Sequence, residues 1–115
     1  MSQECIFCKI ATGKMGSPPL YQDEHVTAFR DINPKAPMHI LVIPNKHLVS
    51  LNEANDEDQT LLGKLMLTAA RLAQSERVAN DGYRLVVNTG PNGGQSVFHV
   101  HLHLLAGRRM TWPPG

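Results

Sequence analysis

Val97-Phe98-His99-Val100-His101-Leu102-His103-Leu104-Leu105 is the stretch on which the fold turns. Successive side chains of a strand point to opposite faces, so this alternation reads as a strand with His99, His101 and His103 on one face. Phe98, Val100, Leu102 and Leu104 then lie on the other, toward a core. Three imidazoles stand in a row at ~7 Å intervals. Imidazoles close enough to interact disfavour one another's protonation, so the row is a chemical arrangement as well as a structural one.

Upstream, Thr89–Ser96 (TGPNGGQS) joins this strand to a second β-rich run, Tyr83–Asn88, and is longer than a tight hairpin needs. Gly93-Gly94 lets the backbone approach closely and turn N–H groups toward an anion. Asn88 before the loop and Ser96 at its end can hydrogen-bond phosphate oxygens or a departing amine. A flexible connection whose glycines only supply positive φ is the plainer alternative. Before the Asn80-Asp81-Gly82 turn, Leu61, Leu62, Leu65, Ala69 and Leu72 recur at helical spacing in a long helix that should begin near Asn55 or Asp56. His39–Ile43 reads as a strand stopped by Pro44, Val26–Arg30 as a strand ending at Asp31, Asn33 and Pro34, and Cys5–Ala11 as a short helix closed by Gly13. One short N-terminal helix, one long helix and about five strands in an antiparallel meander make an α+β fold.

With 115 residues the chain has the length of one ordinary domain, and the expectation is a single domain over residues 1–115. Eleven Lys and Arg against ten Asp and Glu leave a net charge of +1, with the basic residues scattered, which argues against nucleic acid or a membrane surface as partner. The N-terminus lacks the basic start and apolar stretch of a secretory signal, and no run reaches the ~18 apolar residues of a membrane span. Cytoplasm is the expected compartment. Cys5 and Cys8, the two cysteines, are too close for a disulfide to add much and fit a reducing environment.

The histidine row admits three chemical readings. A metal site would need a further ligand, and no HExxH or acidic cluster accompanies the row. A packed stack without chemistry is the second. The third is nucleophilic catalysis at phosphorus: a neutral imidazole attacks near pH 7 without adding negative charge, and a neighbouring imidazole moves the leaving group's proton. That reading uses all three residues.

GGQSVFHVHLHLLAGRRMTWPPG resembles the signature of the histidine triad (HIT) family, and its WPPG ending with the upstream APMHILVIPNKH is similar to the Hint branch, over nearly the whole chain from about Cys5. The resemblance implies a HIT-like fold and a homodimer with a sheet continuous across subunits, the long helices pairing and the tail with Trp112 crossing to the partner to shape specificity. It implies a purine nucleoside phosphoramidase that splits P–N bonds, with a dinucleoside polyphosphate hydrolase or a nucleotide-sensing module as alternatives. His101 takes the nucleophile's role and forms a nucleotidyl-histidine intermediate, with the His99 carbonyl fixing its tautomer. His103 and Ser96 assist the departing amine, and His39 is the fourth active-site histidine. Asp31 matches the ribose-binding carboxylate, which can open an Asx turn before Pro34 as well. Ile6, Phe7, Ile10, Phe29, Ile32 and Leu41 match the apolar wall of a purine pocket, and Asn88, Gly94 and Ser96 the phosphate contacts. Catalysis requires no cofactor. Some family members hold structural zinc, for which the matching residues are Cys5, Cys8, His47 and His99, while Hint-branch proteins commonly do without it.

Overall fold

The long helix starts on a well-built cap. Asn55 accepts the Glu57 N–H at 2.8 Å, and the Asp58 carboxylate accepts the Asn55 N–H at 3.1 Å, a reciprocal capping box that closes two of the free donors of the first turn. A single 3-10 turn at Asp56–Asp58 then feeds the α-helix Gln59–Ser75. Its buried residues, Leu65, Thr68, Ala69, Leu72 and Ala73, repeat at the three- and four-residue spacing of one helical face. Leu61 and Leu62 pack at the edge of the same core, half-buried. The computed structural model that shows this describes residues 5–115.

In chain order the elements are α1 (Ile6–Ala11), β1 (Tyr21–Gln22), β2 (Val26–Arg30), β3 (Met38–Pro44), α2 (Gln59–Ser75), β4 (Tyr83–Val87) and β5 (Leu102–Ala106). The sheet is antiparallel throughout, as expected, with order β1-β2-β3-β5-β4. The first three strands form a meander. After α2 the chain continues at the far edge as β4, and β5 returns between β3 and β4, so the order departs from a simple meander there. No helix among the described residues is long and apolar enough to cross a membrane.

The period-two rule decides which side chains meet. On β3 and β5, Met38, Ile40, Val42, Leu102, Leu104 and Ala106 face α2 and build the main core. The opposite face carries His39, Leu41, Ile43 and His103; α1 covers part of it through Phe7, with Ile10, Phe29 and Val97 packed alongside. His103 pairs with Leu41 on one side and Val86 on the other, and His39 with Leu105, so His39 and His103 are diagonal neighbours on one face.

The expected strand over Val97–Leu105 is corrected in its first half. The ladder begins at Leu102, and residues 97–101 lie outside it. The reason is local: at the matching level β3 ends in Pro44, which has no N–H to donate, and β4 has already ended at Val87. Instead Val100 N–H donates to the Leu48 carbonyl at 2.8 Å, and the His99 ring takes the Pro44 carbonyl. Phe98, expected in the core, is 64% exposed, whereas Val100, Leu102 and Leu104 are buried as expected.

Candidate active site

Where α1 leaves the sheet face uncovered there is a cavity of about 890 Å³. Ile6, Phe7, Ile10, Phe29, Ile32 and Leu41 all line it, and Asp31, Ser96, His101 and His103 are part of its polar lining, with Arg30, Asn33 and Lys35. Asn88, Gly94 and Trp112 do not line it. Asn88 lies half-buried one residue past β4, and the Gly94 N–H is engaged within its own loop by the Pro91 carbonyl at 3.1 Å. Trp112 is 80% exposed, its ring 5.8 Å from the Arg84 guanidinium. The two loop glycines have separate roles. Gly94 has positive φ (+79), while a side chain on Gly93 would collide with the Thr89 backbone.

Backbone groups, whose donor and acceptor identities are fixed, set the tautomers of the histidines. His101 Nδ1 lies 2.8 Å from the His99 carbonyl and must donate to it, which leaves the Nε2 lone pair free at the cavity. At His39 the order is reversed: Lys35 N–H donates to Nδ1 at 3.0 Å, so Nε2 carries the hydrogen and donates to His103 Nδ1 at 2.8 Å. The remaining hydrogen of His103 therefore sits on Nε2, a buried atom with no partner among the described residues. With the His101 and His103 ring centroids 4.9 Å apart, one bare lone pair stands beside the buried, unpartnered donor of a ring that borders the cavity.

Burial disfavours the charged form of His103, His39 and His99. It pushes His103 down to about 4, helped by repulsion from His101 and His39 and opposed by Asp31. Burial also lowers His39, against the pull of Asp31, and lowers His99, against its bond to Pro44. Asp31 accepts the Asn33 N–H at 2.8 Å, so the Asx turn read from the sequence is formed, and the second carboxylate oxygen lies 3.5 Å from His39 Nε2.

Two groups of side chains have the spacing of metal ligands, and tautomers tell them apart. Asp31, His39 and His103 are close enough, but His39 would need lone pairs on both nitrogens while Lys35 N–H already occupies one. Cys5, Cys8, His47 and His99 fit. Their ligand atoms lie within 4.8 Å of one another, and His99 donates Nε2–H to Pro44 at 2.8 Å, leaving Nδ1 as a lone pair 3.4 Å from Cys5 Sγ and 3.1 Å from His47 Nδ1. Without a cation, burial and the neighbouring Cys5 push the Cys8 thiol up to about 11.

The HIT domain family model matches residues 13–110. The chain belongs to the HIT family. An uncharacterised HIT-like protein of Synechococcus elongatus is 50% identical over 115 residues, 100% of each chain. The purine nucleoside phosphoramidase of Escherichia coli K12 is 49% identical over 108 residues, 94% of this chain and 91% of that protein. A solved HIT family hydrolase of Legionella pneumophila has a TM-score of 0.93 at 51% identity, covering 96% of this chain and 99% of its own.

In this HIT protein the His99 carbonyl orients His101 as the family resemblance implied, while the backbone groups that orient His39 and His99 were missed. Nothing in the residue types of Lys35 or Pro44 signals that an amide of one and a carbonyl of the other set two ring tautomers. Gln95 was equally silent, although its neighbours Gly94 and Ser96 were singled out.

Proposed function

We propose that this HIT protein is a purine nucleoside phosphoramidase, hydrolysing the P–N bond of nucleoside 5′-phosphoramidates to a nucleoside monophosphate and an amine. The observation that carries the reading is the pairing of a free His101 Nε2 lone pair with a buried, unpartnered His103 Nε2–H on neighbouring rings that both border the cavity. The 49% identical phosphoramidase and the TWPPG ending, similar to the Hint branch, support the choice of bond.

In this reading the base lies along Phe29, Leu41 and Ile10, and the ribose hydroxyls donate to Asp31. The anionic phosphoryl group settles against His103 and favours its charged form, so the ring takes up a proton from solvent as substrate binds. Asp31, 3.5 Å from His39 Nε2, then receives the hydrogen that His103 Nδ1 no longer accepts. His101 Nε2 attacks phosphorus, the P–N bond breaks, and His103 passes its proton to the departing nitrogen, with the Ser96 hydroxyl alongside. The positive charge on the nucleotidyl-imidazole is stabilised through its Nδ1–H bond to His99. Water then attacks phosphorus, His101 leaves as neutral imidazole, and the water's proton returns to His103.

Steady-state kinetics on an adenosine phosphoramidate and a diadenosine polyphosphate side by side test this. A kcat/KM at least about a hundredfold higher on the phosphoramidate is expected, since only that leaving nitrogen needs the proton His103 supplies. Preference for the polyphosphate overturns the reading, and slow turnover of both with tight nucleotide binding points to a sensor.

The same reading includes a homodimer and one structural zinc per chain, which would be held by Cys5, Cys8, His47 and His99. Bound there, zinc would cross-link the start of α1 to the segment after β3 and to His99, and the reaction would be left to the histidines. Met66 and Leu67 are exposed on α2, and β4 offers its outer edge, with Trp112 of the tail near Arg84 on that strand. Native mass spectrometry of protein purified without chelator should give twice the 12.7 kDa chain plus two zinc ions, and Cys8→Ala should lose the metal. A monomer mass removes the dimer, and a metal-free dimer removes the zinc.

A further inference from the structure

His101 sits on backbone that no sheet ladder holds, since β5 starts only at Leu102. Besides the His99 ring, which meets Pro44, Cys5, Cys8 and His47, residues 95–101 are tied to the rest of the chain by Val100 N–H to the Leu48 carbonyl, by Gln95 N–H, and by the side chain of Gln95. The Gln95 amide uses its acceptor and both its donors. Its oxygen accepts the Gly90 N–H at 3.0 Å, and its nitrogen donates to the Val49 carbonyl at 2.6 Å and the Val97 carbonyl at 3.0 Å. Three points of the chain are thereby drawn together: the start of the glycine loop, the segment after His47, and the residue that follows Ser96. The Gln95 N–H closes the same loop onto the Gly90 carbonyl at 3.1 Å.

From this arrangement we infer that Gln95 is a positioning residue for the reaction: by clamping residues 90–97 to Val49 it sets where Ser96 and the His101 nitrogen stand relative to the bound phosphoryl group. The inference rests on the phosphoramidase reading for its chemistry. The Gln95 side chain does not line the cavity. Of its partners only Val97 borders the cavity, packing beside Phe29, while Gly90 and Val49 lie outside it, so its loss acts mainly on the geometry of attack and leaves Leu41, Asp31 and most of the nucleoside wall in place. A nucleophile displaced by a fraction of an ångström to 1 Å loses about tenfold to a hundredfold in rate.

The test uses Gln95→Met, close in length and without polar atoms, and Gln95→Glu, which keeps the acceptor for Gly90 but sets a charge against two carbonyls. On adenosine phosphoramidate, kcat of Gln95→Met should fall about tenfold to a hundredfold with the AMP dissociation constant within about threefold of wild type, and Gln95→Glu should fall further. Amide hydrogen exchange at residues 95–101 should quicken in both, with α2 unchanged. Wild-type kcat in Gln95→Met, equal losses in kcat and AMP affinity, or a variant that does not fold would each overturn the positioning role. A wild-type protein inactive on the phosphoramidate would remove the reaction assignment instead, and unchanged exchange at 95–101 would then remove the clamp as well.

Discussion

His101→Ala is expected to lose phosphoramidase turnover by about 10⁴-fold or more while binding AMP within a few-fold of wild type. The loss is so large because no other imidazole of the site can take over. His99 is fully buried, one ring nitrogen donating to Pro44 and the other turned to Cys5, Cys8 and His47. His103 has one nitrogen engaged by His39 and carries a hydrogen on the other. His39 is buried behind it and does not line the cavity. AMP binding survives because the apolar wall and Asp31 are untouched. Rapid-quench kinetics on both proteins read the result: activity within about a hundredfold of wild type would mean that His101 is not the nucleophile.

His103→Ala should lower kcat by about 10²- to 10⁴-fold on an alkylamine leaving group, the range for a positioned acid. The deficit should shrink on an aromatic amine, which departs with less need of a proton. A deficit of the same size on both leaving groups would leave His103 as a phosphate contact only. The variant also has a signature in stability. The ring of His103 is held near 4 in the folded chain against 6.5 for a free imidazole, with His39 lowered too. Between those values the unfolded chain binds protons that the folded rings refuse, so this part of the stability is complete above pH 6.5 and is lost as pH falls toward 4. The wild-type melting temperature should therefore drop on acidification over that window, and His103→Ala should drop less steeply. Parallel curves would mean that His103 titrates normally.

Much of this site was legible in the sequence because its chemistry rests on residue types at strand and helix periods. Leu65, Ala69 and Leu72 gave the buried face of α2, and the quartet Cys5, Cys8, His47 and His99 does converge. Alternation alone, however, cannot tell whether an extended segment has partners. Residues 97–101 keep the period of a strand and lack its ladder, because pairing depends on where β3 and β4 stop. That is why Phe98 was placed in the core and lies in solvent. The position of β5 between β3 and β4 was hidden for the same reason: it is a property of three strands together. The His99 carbonyl's hold on His101 came from the family resemblance; the other tautomers depended on Lys35 and Pro44 through main-chain atoms, which no sequence pattern marks.

The ladder's starting point divides the two reacting rings between different kinds of scaffold. His103 is braced on both sides by neighbouring strands, and His101 hangs from loops that meet at Gln95 and Leu48. Sequence drift in those loops can re-aim the attacking nitrogen while the sheet, and the proton donor fixed to it, are inherited unchanged. An ancestral site of this construction is well suited to being redirected from one phosphorus bond to another without a new fold.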